Sequence, residues 1–136
     1  MGRILALDVG SRRIGVSMSD PMQIIASPFS VIDCKISKDV FSEIIDIIDD
    51  YSIDSLVIGM PITMKGKDSI QTKEVKQFID KISKLINIEV YTVDERLSSV
   101  SAEKELIKSG VKTGYNKGEI DKTAATLILQ EFLASK

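Results

Sequence analysis

The chain has 136 residues, 43% of them hydrophobic, with one cysteine, no histidine and a formal net charge of −2. That length suits a single domain, 1–136, burying roughly two-thirds of the unfolded chain's surface, and no apolar run approaches the ~20 residues that span a bilayer. Without histidine, Ser-His-Asp and Cys-His catalysis and Cys/His zinc sites are excluded, so enzyme chemistry would have to use carboxylates, Lys, Arg and hydroxyls, and carboxylates favour a hard cation such as Mg²⁺ or Mn²⁺.

Residues 4–7, Ile-Leu-Ala-Leu, form an unbroken apolar run that reads as a strand buried on both faces. It ends on a carboxylate, Asp8, and Gly10 follows. A charge at the mouth of a core strand is costly to bury unless a cation or hydrogen bonds meet it; the plainer reading is a turn residue just outside the sheet. Arg13–Ser19 reads as a second strand in a hairpin with the first, with Gly15 marking a bulge or close backbone approach. Asp20-Pro21 is a turn, and Ile24–Ile32 reads as a third strand whose Pro28 suits an edge. Cys34 reads as an inert residue, and a lone cysteine fits a reducing, cytoplasmic setting, as does a start that carries no signal-peptide pattern.

Val40, Phe41, Ile44, Ile45, Ile48 and Tyr51 recur at helical spacing, with acids on the opposite face. From Asp33 to Asp54 there are seven acids against Lys35 and Lys38, a net of −5, which leaves 16 bases and 13 acids, a net of +3, elsewhere. Ser55–Gly59 reads as a short strand, Met60–Gly66 as a loop, and the stripe Val75, Phe78, Ile79, Ile82, Leu85, Ile86 as a helix capped by Asp68 or Ser69. Ile88–Val93 reads as a fifth strand running into Asp94-Glu95-Arg96. A short helix through Ala102, Leu106 and Ile107 is expected next, with Gly110 at its C-cap. A basic loop over 111–118 and a last helix from about Glu119 to Leu133 complete the chain.

Strands separated by helices run parallel with right-handed crossovers. The expectation is an α/β fold: a mixed five-stranded sheet with helices on both faces, and Asp8, Gly59 and Glu95 at one carboxyl edge, where open α/β sheets bind ligands. Asp121 shares a helix face with Ala124, Ala125, Ile128 and Phe132. Asp is rarely buried unpaired, so an acid facing the core is informative, although the helix dipole alone would also favour it there. Asp8, Glu95 and Asp121 could therefore converge on a cation suited to phosphodiester chemistry, with Arg12, Arg13, Arg96 and Lys117 holding phosphates.

These residues fall in a pattern that resembles the YqgF-type proteins, a pre-16S rRNA nuclease family related to Holliday-junction resolvases. The matching stretches are Leu7-Asp8-Val9-Gly10 with Arg12-Arg13-Ile14-Gly15-Val16-Ser17, then Ser19-Asp20, Gly59-Met60-Pro61 with Gly66, Asp94-Glu95-Arg96-Leu97, and Ile120-Asp121 with Ala124-Ala125 and Ile128-Leu129-Gln130. The resemblance spans nearly the whole chain. It implies a ribonuclease-H-like fold with sheet order 3-2-1-4-5, and a metal-binding triad of Asp8, Glu95 and Asp121. It further implies hydrolysis of phosphodiester bonds at the 5′ end of pre-16S rRNA during ribosome biogenesis. Ser98-Ser99 stands where the family usually has threonines, and the loop 62–65 is less acidic than the pattern.

The competing readings are a Holliday-junction-type DNA resolvase and a non-catalytic, nucleic-acid-binding ribosome-assembly factor. An ATP-binding phosphotransferase, suggested by Asp-x-Gly after the first strand, would need a second lobe that this length does not allow. The expected partner is nucleic acid, rRNA precursor or branched DNA, with no membrane, and the expected state is a monomer or weak dimer.

Overall fold

In the computed structural model, β1 (Arg3–Val9) is the middle strand of a five-stranded sheet ordered β3-β2-β1-β4-β5. The remaining elements are β2 (Arg13–Ser19), β3 (Ala26–Asp33), α1 (Val40–Asp50), β4 (Ile53–Met60), α2 (Ile70–Leu85), β5 (Glu89–Asp94) and α3 (Lys117–Ala134). The structure describes residues 2–10, 12–61, 70–94 and 117–135, and of 117–122 the backbone alone. The expected short helix through Ala102, its Gly110 cap, the caps Asp68 and Ser69, and the loop 62–66 lie outside the described residues. β1 pairs antiparallel with β2 and parallel with β4, β4 pairs parallel with β5, and β3 closes the β2 side antiparallel. The expected sheet order and strand directions are those observed.

The unbroken apolar run of β1 serves two cores at once. Ile4, Leu5, Ala6 and Leu7 are 0–1% exposed, and strand alternation sends them to opposite faces. Leu5, Leu7 and Val9 join Ile44 and Ile48 of α1 and Val75 and Ile82 of α2, together with Ile14, Val16, Leu56 and Ile58 from the neighbouring strands. Ile4 and Ala6 join Val57, Val93, and Ile128 and Leu129 of α3. The sheet therefore separates a large aliphatic core under α1 and α2 from a thinner one under α3.

Local chemistry sets the turns. Asp39 caps α1 by accepting from the N–H groups of Phe41 and Ser42 at 3.1 and 3.3 Å. The β1–β2 hairpin closes through the Gly10 N–H, which donates to the Arg13 carbonyl at 3.0 Å. A Cβ at position 10 would lie 2.8 Å from that oxygen, so only glycine fits without a shift.

Several boundaries differ from expectation, with β4 spanning Ile53–Met60 rather than Ser55–Gly59 and β5 Glu89–Asp94 rather than Ile88–Val93. β3 begins at Ala26 rather than Ile24, because Asp20 captures the preceding backbone: its carboxylate accepts from the N–H groups of Ile24, Ile25 and Met22 at 2.7, 2.8 and 3.3 Å. Ile24 and Ile25 are left more than 60% exposed in the turn. Helix α3 begins at Lys117, two residues before the expected Glu119, so Lys117 and Gly118 belong to the helix rather than to the basic loop. Residues at a fraying helix end carry weak sequence signals, and a glycine in the first turn is tolerated.

The N–H groups of Ile25 and then Ile24 hold the Asp20 carboxyl below its ordinary value of 3.8. A depressed folded-state pKa stabilises the fold above the unfolded value, and that stabilisation is lost as pH falls through the folded one. Asp20→Ala is accordingly expected to melt lower than the parent near neutral pH. The gap should narrow as pH drops below the carboxylate range, which thermal melts across an acid series would show. A gap independent of pH would mean that the charge on Asp20 contributes nothing.

Candidate active site

Asp8 continues the alternation of Ile4 and Ala6, so it lies on the α3 face, half-buried, at the carboxyl end of β1. Its cross-strand partner on β2 is Gly15. On the other side, the β4 residue one step beyond the Leu7–Ile58 pair is Gly59, which pairs in turn with Val93 of the α3-side core. Asp8 therefore stands between two buried glycine positions, one on each neighbouring strand.

Helix α3 covers this floor from above. Ala124 and Ala125 are 0–1% exposed, and their small side chains let the helix lie close to the sheet. The Ser17 hydroxyl donates to the Ala125 carbonyl at 2.9 Å. At the other end of α3, Leu133 and Ala134 line a groove with Ile24, Ile25 and Ala26, at the amino edge of β1. From Ala134 back towards its start, α3 thus leads from the amino edge towards the carboxyl edge where Asp8 stands. The backbone of Asp121 lies in α3 one turn before Ala125. Its side chain, that of Lys117, and the whole of Glu95 and Arg96 lie outside the described residues.

The two hairpin arginines diverge. Arg13 has the same strand parity as Gly15 and Ser17 and so shares the α3 face with Asp8. Arg12 is half-exposed and forms an ion pair with Asp33 at 3.6 Å. The acidic helix α1 packs on the opposite side of the sheet from Asp8. Cys34 is partly buried, and burial followed by the neighbouring Asp33 charge raises its thiol pKa, which fits an inert thiol.

Sequence reasoning missed the two hydroxyls of β2, Ser17 and Ser19, which are 0% and 2% exposed. Two serines at alternate positions of an otherwise apolar strand, facing a helix with an Ala-Ala pair, were the available signal. Among the described residues no three acids, cysteines or histidines cluster at metal-binding distance. What the described part of the site offers a cation is a hard oxygen donor, Asp8, between two glycine positions, and that donor fits a hard divalent cation.

A family model described as RuvX, Holliday junction resolvase, matches residues 2–135. The chain belongs to the RuvX family. Among its relatives, a protein of Roseiflexus sp. is 43% identical over 99% of this chain and 96% of its own length, and one of Maridesulfovibrio salexigens is 36% identical over 97% and 98%. Both carry the name "Putative pre-16S rRNA nuclease". RuvX proteins are nucleases, hydrolases acting on ester bonds.

Solved structures establish the fold as ribonuclease-H-like. The RuvC of T. thermophilus in complex with a Holliday junction superposes with a TM-score of 0.60 at 8% identity, covering 99% of this chain and 95% of that one. The Fowlpox virus resolvase with junction DNA gives 0.57 at 10% identity, covering 98% and 97%. Both the family resemblance and the fold expected from the sequence are those found. Among the described residues of this RuvX protein, no helix is long and apolar enough to cross a membrane.

Proposed function

We propose that this RuvX protein is a metal-dependent nuclease that trims the 5′ end of pre-16S rRNA in the cytoplasm, with residues 1–136 acting as a single nuclease domain. The observation that carries the reading is the half-buried Asp8 between Gly15 and Gly59, on the sheet face that α3 covers. From Ala6 to Asp8 the strand advances about 6.8 Å, and from Ala125 back to Asp121 the helix advances about 6 Å. These similar offsets, with Ala125 anchored over the Ser17–Ala6 pair, support Asp121 as the partner of Asp8. Glu95 follows Tyr91 and Val93 at the next position of their alternation, and Val93 belongs to the α3-side core.

Asp8, Glu95 and Asp121 would hold Mg²⁺ or Mn²⁺. When bound, the cation supplies the charge that acidifies an attacking water and offsets the charge growing on the leaving oxygen. The chain's own residues supply the rest. Gly15 and Gly59 leave room for a phosphodiester beside Asp8. Arg13, Arg96 and Lys117 would orient phosphates along the α3 face. Arg12 would reach a phosphate only by exchanging its exposed pairing with Asp33, which costs little because such pairs contribute about 0–1 kcal/mol. The placement of the acidic α1 on the other side of the sheet supports substrate approach over α3.

The family description, Holliday junction resolvase, favours a second reading in which branched DNA is the substrate. The deciding experiment offers both substrates, a precursor-rRNA fragment and a DNA four-way junction, with Mg²⁺ or Mn²⁺ and with chelator, and maps the product ends. Metal-dependent cut ends on the RNA support the rRNA reading. Cutting of the junction alone replaces it, and binding without cutting of either would make the protein a non-catalytic assembly factor. Arg13→Glu is expected to weaken nucleic-acid binding and flatten its salt dependence by about one unit per lost phosphate contact. The double change Asp46→Asn with Asp49→Asn, on the far side of the sheet, should barely alter either quantity. Equal effects from both would put the substrate on the wrong face.

A further inference from the structure

We propose that Ser17 is a positioning residue for the carboxylate site: its hydroxyl fixes how far along the sheet α3 lies, and with it the spacing between Asp8 on β1 and Asp121 on α3. The inference rests on the reading of Asp8 and Asp121 as metal ligands given above.

Ser17 is fully buried in a strand whose neighbours Val16 and Met18 belong to the aliphatic core on the opposite face. Its own side chain points to α3 and donates to the Ala125 carbonyl at 2.9 Å, joining positions 108 residues apart. The apolar contacts holding this helix are of a different kind. Ile128 and Leu129 against Ile4, Ala6 and Val57 are apolar packing, which is non-directional and changes little when a helix slides by a fraction of an ångström. Ala124 and Ala125 have no side-chain length with which to interlock. A hydrogen bond weakens steeply with distance and angle, so the Ser17–Ala125 bond is a directional tie between α3 and the sheet.

Its position explains what it ties. Ser17 pairs across the sheet with Ala6, two residues before Asp8, and Ala125 lies one helical turn after Asp121. One bond therefore registers the strand that carries the first carboxylate against the helix that carries the other. Metal ligation demands such registry, because donor distances must hold to within about 0.2 Å. Ser19 makes the contrast. Its hydroxyl accepts from the Ile4 N–H at 2.8 Å and donates to the Asp20 carbonyl at 2.9 Å, both at the sheet's own edge.

The test compares Ser17→Ala, Ser17→Cys, Asp8→Asn and Ile44→Val in the full chain. Ile44 is fully buried on the opposite face, so its truncation lowers stability without touching α3. Mn²⁺ affinity is measured by the signal of free Mn²⁺ in electron paramagnetic resonance, alongside melting temperature and kcat and KM on an RNA substrate. Ser17→Ala is expected to weaken Mn²⁺ binding about five- to tenfold, the scale of one lost hydrogen bond. It should lower kcat while leaving KM for RNA within about twofold. Ser17→Cys, which keeps a weak donor of similar size, should fall between Ser17→Ala and the parent, and Ile44→Val should melt lower yet bind Mn²⁺ as the parent does. Should Ser17→Ala melt lower but bind Mn²⁺ with parental affinity, the hydroxyl serves stability alone and the proposal is overturned, while Asp8→Asn, if it binds poorly, leaves the metal site standing. Parental Mn²⁺ affinity in Asp8→Asn would overturn both.

Discussion

Asp8→Asn is expected to lower metal-dependent cleavage by at least about a hundredfold while leaving the fold intact. A metal ion contributes several kcal/mol of charge stabilisation to a phosphoryl transition state, and each ~1.4 kcal/mol is a factor of ten. Asparagine keeps the shape of the side chain but removes the charge that would hold the cation. No histidine can take over, because the chain has none. The fold should tolerate the change, since Asp8 lies at the strand end between two glycine positions rather than inside either apolar cluster. The measurement is cleavage rate with Mg²⁺ and Mn²⁺, with a far-ultraviolet dichroism spectrum as the control. A variant that folds and cuts within about threefold of the parent would remove Asp8 from the site.

Divalent cation is expected to raise the melting temperature of the parent on the order of 10 °C at a hundred times its dissociation constant. That follows from about 2.7 kcal/mol of mass-action stabilisation, spread over the unfolding entropy of a chain this size. In Asp121→Asn the same cation should stabilise far less. In chelator, the variant should melt no lower than the parent, because carboxylates gathered beside a low-dielectric core repel one another and losing one relieves that repulsion. A carboxylate that only favoured the helix dipole or capped backbone N–H groups would behave in the opposite way. Four melting curves decide: a variant that melts lower in chelator, with an unchanged metal shift, makes Asp121 a structural residue.

Much of the architecture was legible because burial leaves a periodic record. Four apolar residues without alternation at Ile4–Leu7 demand cover on both sides, and the stripe through Ile44 and Ile48 supplies one of the covering faces. Helices between the later strands force parallel pairing, which leaves β1 in the middle. The misread stretch was Ile24-Ile25, two β-branched residues that the pattern assigns to a strand. Their backbone N–H groups go instead to the Asp20 carboxylate, a choice that no count of apolar residues reveals.

The site divided along similar lines. Asp8 stood out as a charge ending an apolar run, and the sheet does carry it to the α3 face. Arg12 and Arg13 looked equivalent as neighbours, yet strand alternation sends one towards Asp33 and the other to the side of Asp8. Ser17 carried a signal as one of two serines alternating in an apolar strand, but its partner, a carbonyl more than a hundred residues further along, left no mark in the sequence.

That long separation also orders events in time. The hairpin of β1 and β2 needs only the first 19 residues, and among the described residues the buried members of the core beneath α1 and α2 end at Ile82. During synthesis at roughly 5–20 residues per second, these parts can consolidate while later residues are still inside the ribosome. Among the described residues, the helix that covers the opposite face, with Ile4, Ala6 and Val57, is α3, which emerges last. The half-made chain would thus expose apolar side chains on the side where Asp8 stands. Nascent chains stalled before residue 117 are therefore expected to bind hydrophobic dyes and holdase chaperones through that face.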